Sequence, residues 1–404
     1  MTKRTDQEYS GVPVGALGLI VLDSCTDLGQ QVDRYLAEWR KEYANAHIND
    51  PAFEGYSKDT FIIDSECPRF GSGEGKGILK ESVRGKDIYI LVDVLNYSRT
   101  YSICGHTNHK SPDDHFQDLK RMIAAIEHKA NRVNVIMPFL YESRQHKRTG
   151  RESLDCAQAL QELMNMGVDN VITFDAHDPR VQNAIPTGGF DNLYCSYQFI
   201  KGLLNEVSGL KLDTDHFMMI SPDEGATHRA VYMSSILGVN MGMFYKRRDY
   251  TQVVNGRNPI VAHEFLGNDV EGKDVFIIDD MISSGDSMLD VARELKKRKA
   301  NRIFLAATFG LFTNGMDKFD KAYEEGIFTK VLTTNLTYQQ PELLKREYYI
   351  SCDMTKYIAY IIDLLNHNGS LSSIMEHGGR IKNVVGKYER GELNKDVDGE
   401  GISL

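Results

Sequence analysis

The 404-residue sequence predicts an α/β fold, in which two successive halves each form a doubly wound, mostly parallel sheet flanked by helices. Three observations carry this. Short apolar runs alternate with stretches of helical periodicity along most of the chain. The strongest run, Val275-Phe276-Ile277-Ile278, lacks the alternation of a half-exposed strand and so reads as a strand buried on both faces. Charged and polar clusters recur just after such runs, at the strand carboxyl ends where open α/β sheets bind ligands.

Residues 1 to about 13 read as a polar leader. Leu17 to Leu22 is a first strand, and Val32, Tyr35, Leu36 and Trp39 then fall on one helical face. Phe61-Ile62-Ile63 is a short strand leading into Arg69-Phe70-Gly71-Ser72-Gly73-Glu74-Gly75-Lys76-Gly77. That glycine-rich run lacks the spacing of a Walker-type phosphate loop and reads as a turn or hairpin. Ile88 to Val92 is the next strand, followed by a polar loop or insertion from Leu95 to Ser111. A helix from about Asp113 places Phe116, Leu119, Ile123 and Ile126 on one face. Strand Val133–Met137 leads to Tyr141-Glu142-Ser143-Arg144-Gln145, and Ser153 is placed to cap a helix carrying Ala157, Leu160 and Met164. Strand Val171–Phe174 delivers Asp175-Ala176-His177.

The pattern then restarts. Phe217 to Ile220 leads to Ser221-Pro222-Asp223, and Gly242-Met243-Phe244 leads to Tyr245-Lys246-Arg247-Arg248. Strands Ile303–Ala306 and Lys330–Thr333 follow the central run. The expected division is residues 14–198 and 199–376, with a flexible tail over 377–404.

Composition narrows the class. An apolar share of 41% with 26% charged residues is that of a globular protein with ordinary cores. A net charge of −10 disfavours a nucleic-acid surface. Six scattered cysteines without a Cys-x-x-Cys pair point to reduced thiols rather than a disulfide frame or zinc site. The amino terminus lacks a signal-peptide core, and no apolar run reaches membrane-spanning length, so a cytoplasmic protein with no membrane partner is expected.

The chemistry concentrates after the central strand. Asp279 and Asp280 are followed by Ile282-Ser283-Ser284-Gly285-Asp286-Ser287, and then by a helix with Met288, Val291, Ala292 and Leu295 on one face. Backbone N–H groups of such a loop converge on a phosphate at a helix amino terminus. The acidic pair suits two sugar hydroxyls or a hydrated cation. This stretch resembles the phosphoribosyl-pyrophosphate loop of type I phosphoribosyltransferases and ribose-phosphate pyrophosphokinases.

Taken with the other clusters, in order over roughly residues 60 to 375, the chain resembles the ribose-phosphate pyrophosphokinase family. The resemblance implies two phosphoribosyltransferase-like domains, with ATP handled by the first and ribose phosphate by the second. It implies attack by the anomeric hydroxyl of ribose 5-phosphate on the β-phosphorus of Mg-ATP, releasing AMP. Phe70 and Glu74 then belong to an adenine-contacting hairpin, and Arg144 and Gln145 bind ATP. His177 and Asp223 lie near Mg2+. Lys246 and Arg248, with His177, are catalytic. Asp279, Asp280, Ser283, Ser284, Gly285 and Ser287 hold the ribose phosphate. A homo-oligomer is also implied, its hairpin reaching a neighbour's ATP site.

Three departures stand out. The family's usual Asp-Gly-Glu is Ser72-Gly73-Glu74, its aspartate after Arg144-Gln145 is His146, and its Asp-Thr-Ala-Gly-Thr is Ser283-Ser284-Gly285-Asp286-Ser287. A carboxylate at Asp286 beside a phosphate dianion costs Coulomb energy unless a cation or a turned-away rotamer relieves it. A diphosphokinase with a 5-phosphate-esterified ribose acceptor is therefore one alternative. A non-catalytic regulatory paralogue is a second. A phosphoribosyltransferase is a third, although that class lacks the amino-terminal half with Arg144-Gln145.

Overall fold

The computed structural model describes residues 12–46, 56–248 and 260–393. The first half contains β1 (Ala16–Val21), α1 (Thr26–Ala46), β2 (Ser65–Glu66), β3 (Ile78–Leu79), β4 (Lys86–Leu91), β5 (Thr100–Ile103) and β6 (His106–His109). It continues with α2 (Pro112–Ile126), β7 (Arg132–Ile136), α3 (Asp155–Asn165), β8 (Asn170–Phe174) and β9 (Gly189–Leu193). Its main sheet is parallel throughout, in the order β1-β4-β7-β8-β9.

After α4 (Ser196–Glu206), the second half adds β10 (Phe217–Ser221), α5 (Thr227–Leu237), β11 (Asn240–Arg248), β12 (Ile260–Leu266), β13 (Asp274–Ile282) and α6 (Asp286–Lys297). Then come β14 (Ile303–Gly310), α7 (Asp317–Glu324), β15 (Lys330–Thr334), β16 (Tyr349–Cys352), α8 (Thr355–Asn366), α9 (Ser372–Met375) and α10 (Gly378–Glu389). The strand order is β12-β11-β10-β13-β14-β15-β16, parallel except for the β11–β12 ribbon. Helix α4 packs on β15 and β16 and so sits with the second sheet.

Strand parity explains how the halves meet. Side chains alternate across a strand, so on β13 Val275 and Ile277 pack in one core with Met288, Val291, Ala292 and Leu295 of α6. Phe276 and Ile278 point the opposite way, into a second core that is continuous with the first half. Asp280 shares their parity. On β14, Phe304 and Ala306 likewise face the continuous core, and Thr308 follows them. The two halves thus share apolar packing beneath a polar rim.

A buried polar cluster reinforces the join. Arg40 of α1 donates to Asp363 of α8 at 3.1 and 3.2 Å and to Asn366 at 2.5 Å, beneath the Tyr56 and Phe61 rings. Asn366 in turn donates to Asp87 at 2.8 Å. Helix α2 is closed by a capping box, in which Ser111 and Asp114 exchange side-chain and backbone bonds at 3.2 and 3.0 Å.

Several expectations change. The polar segment 95–111 contains the β5–β6 hairpin, where Cys104 and Gly105 supply the positive φ a tight turn needs. Phe61–Ile63 forms a single bridge at Leu19↔Ile62 rather than a full strand. Leu154, not Ser153, is the residue before α3, and the buried face of that helix is Cys156, Ala159, Leu160 and Leu163. Of the segment expected as a flexible tail, 378–389 is helix α10, with Ile381 and Val384 buried; residues 394–404 lie outside the described residues.

Candidate active site

Side chains at or just after the carboxyl ends of β8, β10, β13 and β14 come together where the halves meet. His177 follows β8 and Asp280 lies near the end of β13. The His177 Nδ1 and the Asp280 carboxylate are 2.7 Å apart. Burial opposes ionisation of Asp280, but the His177 hydrogen bond and the Arg229 charge outweigh it and hold the carboxyl below its usual range. An ionised carboxylate only accepts, so Nδ1 carries the proton and donates, leaving Nε2 for the cleft. The His177 side chain is 39% exposed and reachable from solvent.

Asp279 behaves oppositely. Burial, then the neighbouring Asp280 charge, pushes its carboxyl well up, with Asp223 adding repulsion. Its Oδ1 accepts the Asp280 N–H at 2.8 Å. Asp223 follows β10, and its Oδ1 accepts the N–H groups of Gly225 (2.9 Å) and Ala226 (3.2 Å), ordering the turn into α5.

Beneath this rim lies an ion pair that sequence reasoning missed. Arg229 of α5 donates Nε–H to Asp175, after β8, at 2.7 Å, and Thr308 of β14 donates to the other Asp175 oxygen at 2.8 Å. Arg229 Nη2 is buried without a hydrogen-bond partner. Its charge acts on Asp175 first, then on Asp280 and Asp279. A signal was present: Ala226, Arg229, Ala230 and Met233 fall at i, i+3, i+4 and i+7. A cation on an apolar helical face calls for a buried partner.

Arg144 reaches across from the first half. Its Nε and Nη2 lie 3.2 and 2.9 Å from the Met281 sulfur, beside the acidic pair. Tyr141 anchors this turn, stacking on Phe116 with ring centroids 4.3 Å apart and donating to Asp113 at 2.6 Å. Gln145 bonds back into its own loop, to the Ser153 carbonyl at 2.9 Å and that of Lys147 at 3.3 Å. His146 places its ring 5.3 Å from His177 and its Nε2 3.5 Å from Asp178.

The Ser/Gly loop stands at the amino end of α6. Gly285 has φ +80°, and a Cβ there would meet the Phe319 ring at 2.3 Å, so conformation and space both demand glycine. Ser283 accepts the Thr313 N–H on its carbonyl at 2.9 Å, and the Ser284 hydroxyl lies 3.5 Å from the Asp286 amide. Ser287 is the second residue of α6. Asp286 turns to Lys318, whose ammonium, with the Ser284 hydroxyl, holds the carboxyl below its usual range.

The Phe70–Glu74 hairpin is a separate feature. The Phe70 N–H bonds the Glu74 carbonyl at 2.7 Å, Ser72 donates to the Glu74 carboxylate at 2.8 Å, and Phe70 is 54% exposed. Its base is held by Arg69, bidentate to Asp118 of α2, and its tip by the β5–β6 hairpin through the Cys104 N–H and Gly71 carbonyl. Lys246 and Arg248 sit at the end of β11 by backbone; their side chains, like residues 249–259, lie outside the described residues.

Among the described residues no three His, Cys, Asp or Glu side chains form a metal cage. Asp279, Asp280 and Asp223 nevertheless bring carboxylate oxygens close enough for Asp280 and Asp223 to repel charge on Asp279. That suits Mg2+ held by one or two carboxylates and completed by substrate phosphates. Among the same residues no helix is long and apolar enough to cross a membrane.

Comparison with known proteins matches this layout. Residues 17–167 match the model of the N-terminal domain of ribose phosphate pyrophosphokinase, and residues 191–346 that of the phosphoribosyl transferase domain. A ribose-phosphate pyrophosphokinase of Shewanella oneidensis is 28% identical over 318 residues, spanning 78% of this chain and 91% of its own. One from Vibrio parahaemolyticus is 28% identical over 316 residues, 77% and 90% of the two chains. The crystal structure of phosphoribosylpyrophosphate synthetase from Mycobacterium smegmatis superposes with a TM-score of 0.68 at 21% identity, covering 88% of this chain and all of the other, a likeness of fold.

Proposed function

Since the chain belongs to the ribose-phosphate pyrophosphokinase family, we propose that it is an ATP-dependent ribose-phosphate diphosphokinase. It transfers the β,γ-pyrophosphoryl group of Mg-ATP to O1 of ribose 5-phosphate, giving phosphoribosyl pyrophosphate and AMP. The observation that carries this reading is the 2.7 Å bond joining His177, on the ATP half, to Asp280, on the ribose half. A bond across the halves supports a reading in which the acceptor's hydroxyls and the donor's phosphates share one site.

The residues divide the work. Loop 283–287 offers backbone N–H groups and hydroxyls at the amino end of α6, where the 5-phosphate of ribose is favoured by the helix dipole. Asp279 and Asp280 accept hydrogen bonds from two ribose hydroxyls, fixing O1 for in-line attack. Arg144 swings from Met281 onto ATP phosphates in a fork geometry, with Gln145 beside it. Lys246 and Arg248 neutralise charge that builds on the transferring group, and positioning contributes more than covalent chemistry. His177 and Asp223, beside the acidic pair, would hold the Mg2+ that accompanies ATP, and the cation would screen the phosphate charge. Phe70 and Glu74 contact adenine, from a hairpin whose exposure suits a site shared between subunits of a homo-oligomer. A cytoplasmic location, where ATP and ribose 5-phosphate are both available, completes the proposal.

The Lys318 ammonium beside Asp286 weakens the motive for the esterified-acceptor alternative, which the turnover test separates. The test is turnover with Mg-ATP and ribose 5-phosphate. AMP and phosphoribosyl pyrophosphate are expected in equal amounts. ATP binding without AMP formation, while a 5-phosphate ester of ribose supports it, would select the alternative acceptor.

A further inference from the structure

A cavity of about 430 Å3 opens beside the segment hydrogen-bonded to loop 283–287, and the proposed reaction makes no use of it. Leu95 and Tyr97 of the first half form one wall. The β14–α7 turn, from Gly310 to Met316, and the segment after β15, from Thr337 to Leu343, form the others. Packing defects in cores are far smaller, and ligand pockets fall at roughly 300–1,000 Å3.

Its chemistry is distinctive. No charged side chain lines it. A phosphate entering there would lose its hydration with no cation to meet it, so neither ATP nor ribose 5-phosphate suits the cavity. What it offers are aromatic surfaces and neutral hydrogen-bonding groups. Tyr97, 46% exposed, meets Tyr338 edge-on with centroids 5.5 Å apart. The hydroxyls of Thr313 and Thr337 and the Gln340 amide, beside the Tyr97 hydroxyl, can serve donors and acceptors on a flat ring.

The wall is tied to the loop. Leu311 and Phe312 both donate N–H to the Ile282 carbonyl, at 2.9 and 3.2 Å, and Thr313 donates to that of Ser283 at 2.9 Å. Phe312 is held at φ +45°, a conformation that non-glycine residues adopt only when neighbours impose it. Its ring meets Phe319 at 5.1 Å, and Phe319 abuts Gly285. Opposite, Asp93 accepts the N–H groups of Leu95 at 2.9 Å and Tyr338 at 2.7 Å, clamping the two halves at the cavity's edge.

We propose that this cavity is a second ligand site, for an uncharged nucleobase or nucleoside, and that its occupancy alters the affinity of loop 283–287 for ribose 5-phosphate. The coupling rests on the reading of that loop as the sugar-phosphate site; the binding itself does not. The test is calorimetry on the full chain with adenosine and inosine as probes, in saturating Mg2+ and a non-hydrolysable ATP analogue. Saturable binding is expected to survive the analogue. It should weaken at least about tenfold in Tyr97→Ala, persist in Tyr97→Phe and be lost in Leu95→Trp, which fills the cavity from that same wall. Ribose 5-phosphate affinity should shift by about fivefold when adenosine is bound, in the usual range of coupling between sites. Absence of saturable binding at millimolar probe, displacement by the ATP analogue, or equal binding in Tyr97→Ala would overturn the site. Binding with unchanged ribose 5-phosphate affinity would overturn the coupling.

Discussion

Replacing Arg229 by methionine keeps most of the side-chain volume but removes the cation beneath the cleft. The guanidinium lies 2.7 Å from the Asp175 carboxylate and both groups are buried. With charge centres ~4 Å apart and an effective dielectric of ~20, the attraction is about 4 kcal/mol. Breaking one side of a buried pair typically costs about 3–5 kcal/mol, because the remaining charge is left without a partner. Asp175 has a second route: burial already raises its pKa, and without Arg229 that rise grows. The variant's penalty is therefore full above the raised pKa and shrinks below it, where Asp175 is neutral. Urea unfolding of the parent and Arg229→Met at pH 8.5, 7 and 5.5 should show a difference of about 3–5 kcal/mol at the highest pH, narrowing as pH falls. Asp175→Asn on the Arg229→Met background should recover most of it. A loss under about 1 kcal/mol, the scale of an exposed pair, or one independent of pH would refute this account of the buried ion pair.

Other perturbations follow from the same geometry. Burial raises the Asp93 pKa to about 7 against 3.8 for the free side chain. The native state thus holds a proton that the unfolded state releases, and the stability tied to Asp93 is present below pH 4 and lost as pH rises through 7. The drop is about 4 kcal/mol at most at 1.36 kcal/mol per unit, and unfolding titrations of Asp93→Asn should lack that slope. Gly285→Ala places a methyl group into the Phe319 ring at positive φ; an increase of at least about tenfold in the KM for ribose 5-phosphate is expected, with ATP binding little changed, consistent with a strain of ~1–3 kcal/mol. Lys318→Ala exposes the Asp286 charge to the 5-phosphate and should raise that KM several-fold, in a salt-dependent way, with Asp286→Ala on the same background restoring it.

How much of this could be read from sequence depended on whether neighbours in space mattered. Buried strands such as β4, β10, β13 and β14 declare themselves, because a run flanked on both faces must be apolar along its length. The edge strands β9 (Gly-Phe-Asp-Asn-Leu) and β16 (Tyr-Ile-Ser-Cys) do not, since one margin meets solvent and their composition is mixed. Helix α10 hid behind its glycines and lysines; Ile381 and Val384 hold it by packing that no local pattern reveals. At the site, His177, Asp223 and the acidic pair were legible by type and by their place after strands. That His177 would meet Asp280, 103 residues away, was not, because it follows from the parity of β13 and the docking of two sheets. Arg229 was passed over because a lone cation on a helix reads as surface until its apolar neighbours are counted. The sign of the Asp286 effect also lay out of reach, since Lys318, 32 residues on, supplies the compensating charge.

The central claim is that the cleft between the halves joins O1 of ribose 5-phosphate to the β-phosphorus of ATP. The most direct measurement is phosphorus NMR of the reaction of Mg-ATP with ribose 5-phosphate carrying 18O at C1. The account predicts AMP and a pyrophosphate whose carbon-linked phosphorus shows the isotope shift, with both products absent from Lys246→Ala. Products of ADP and phosphate, or a phosphoribosyl pyrophosphate without the label in its bridge, would contradict it.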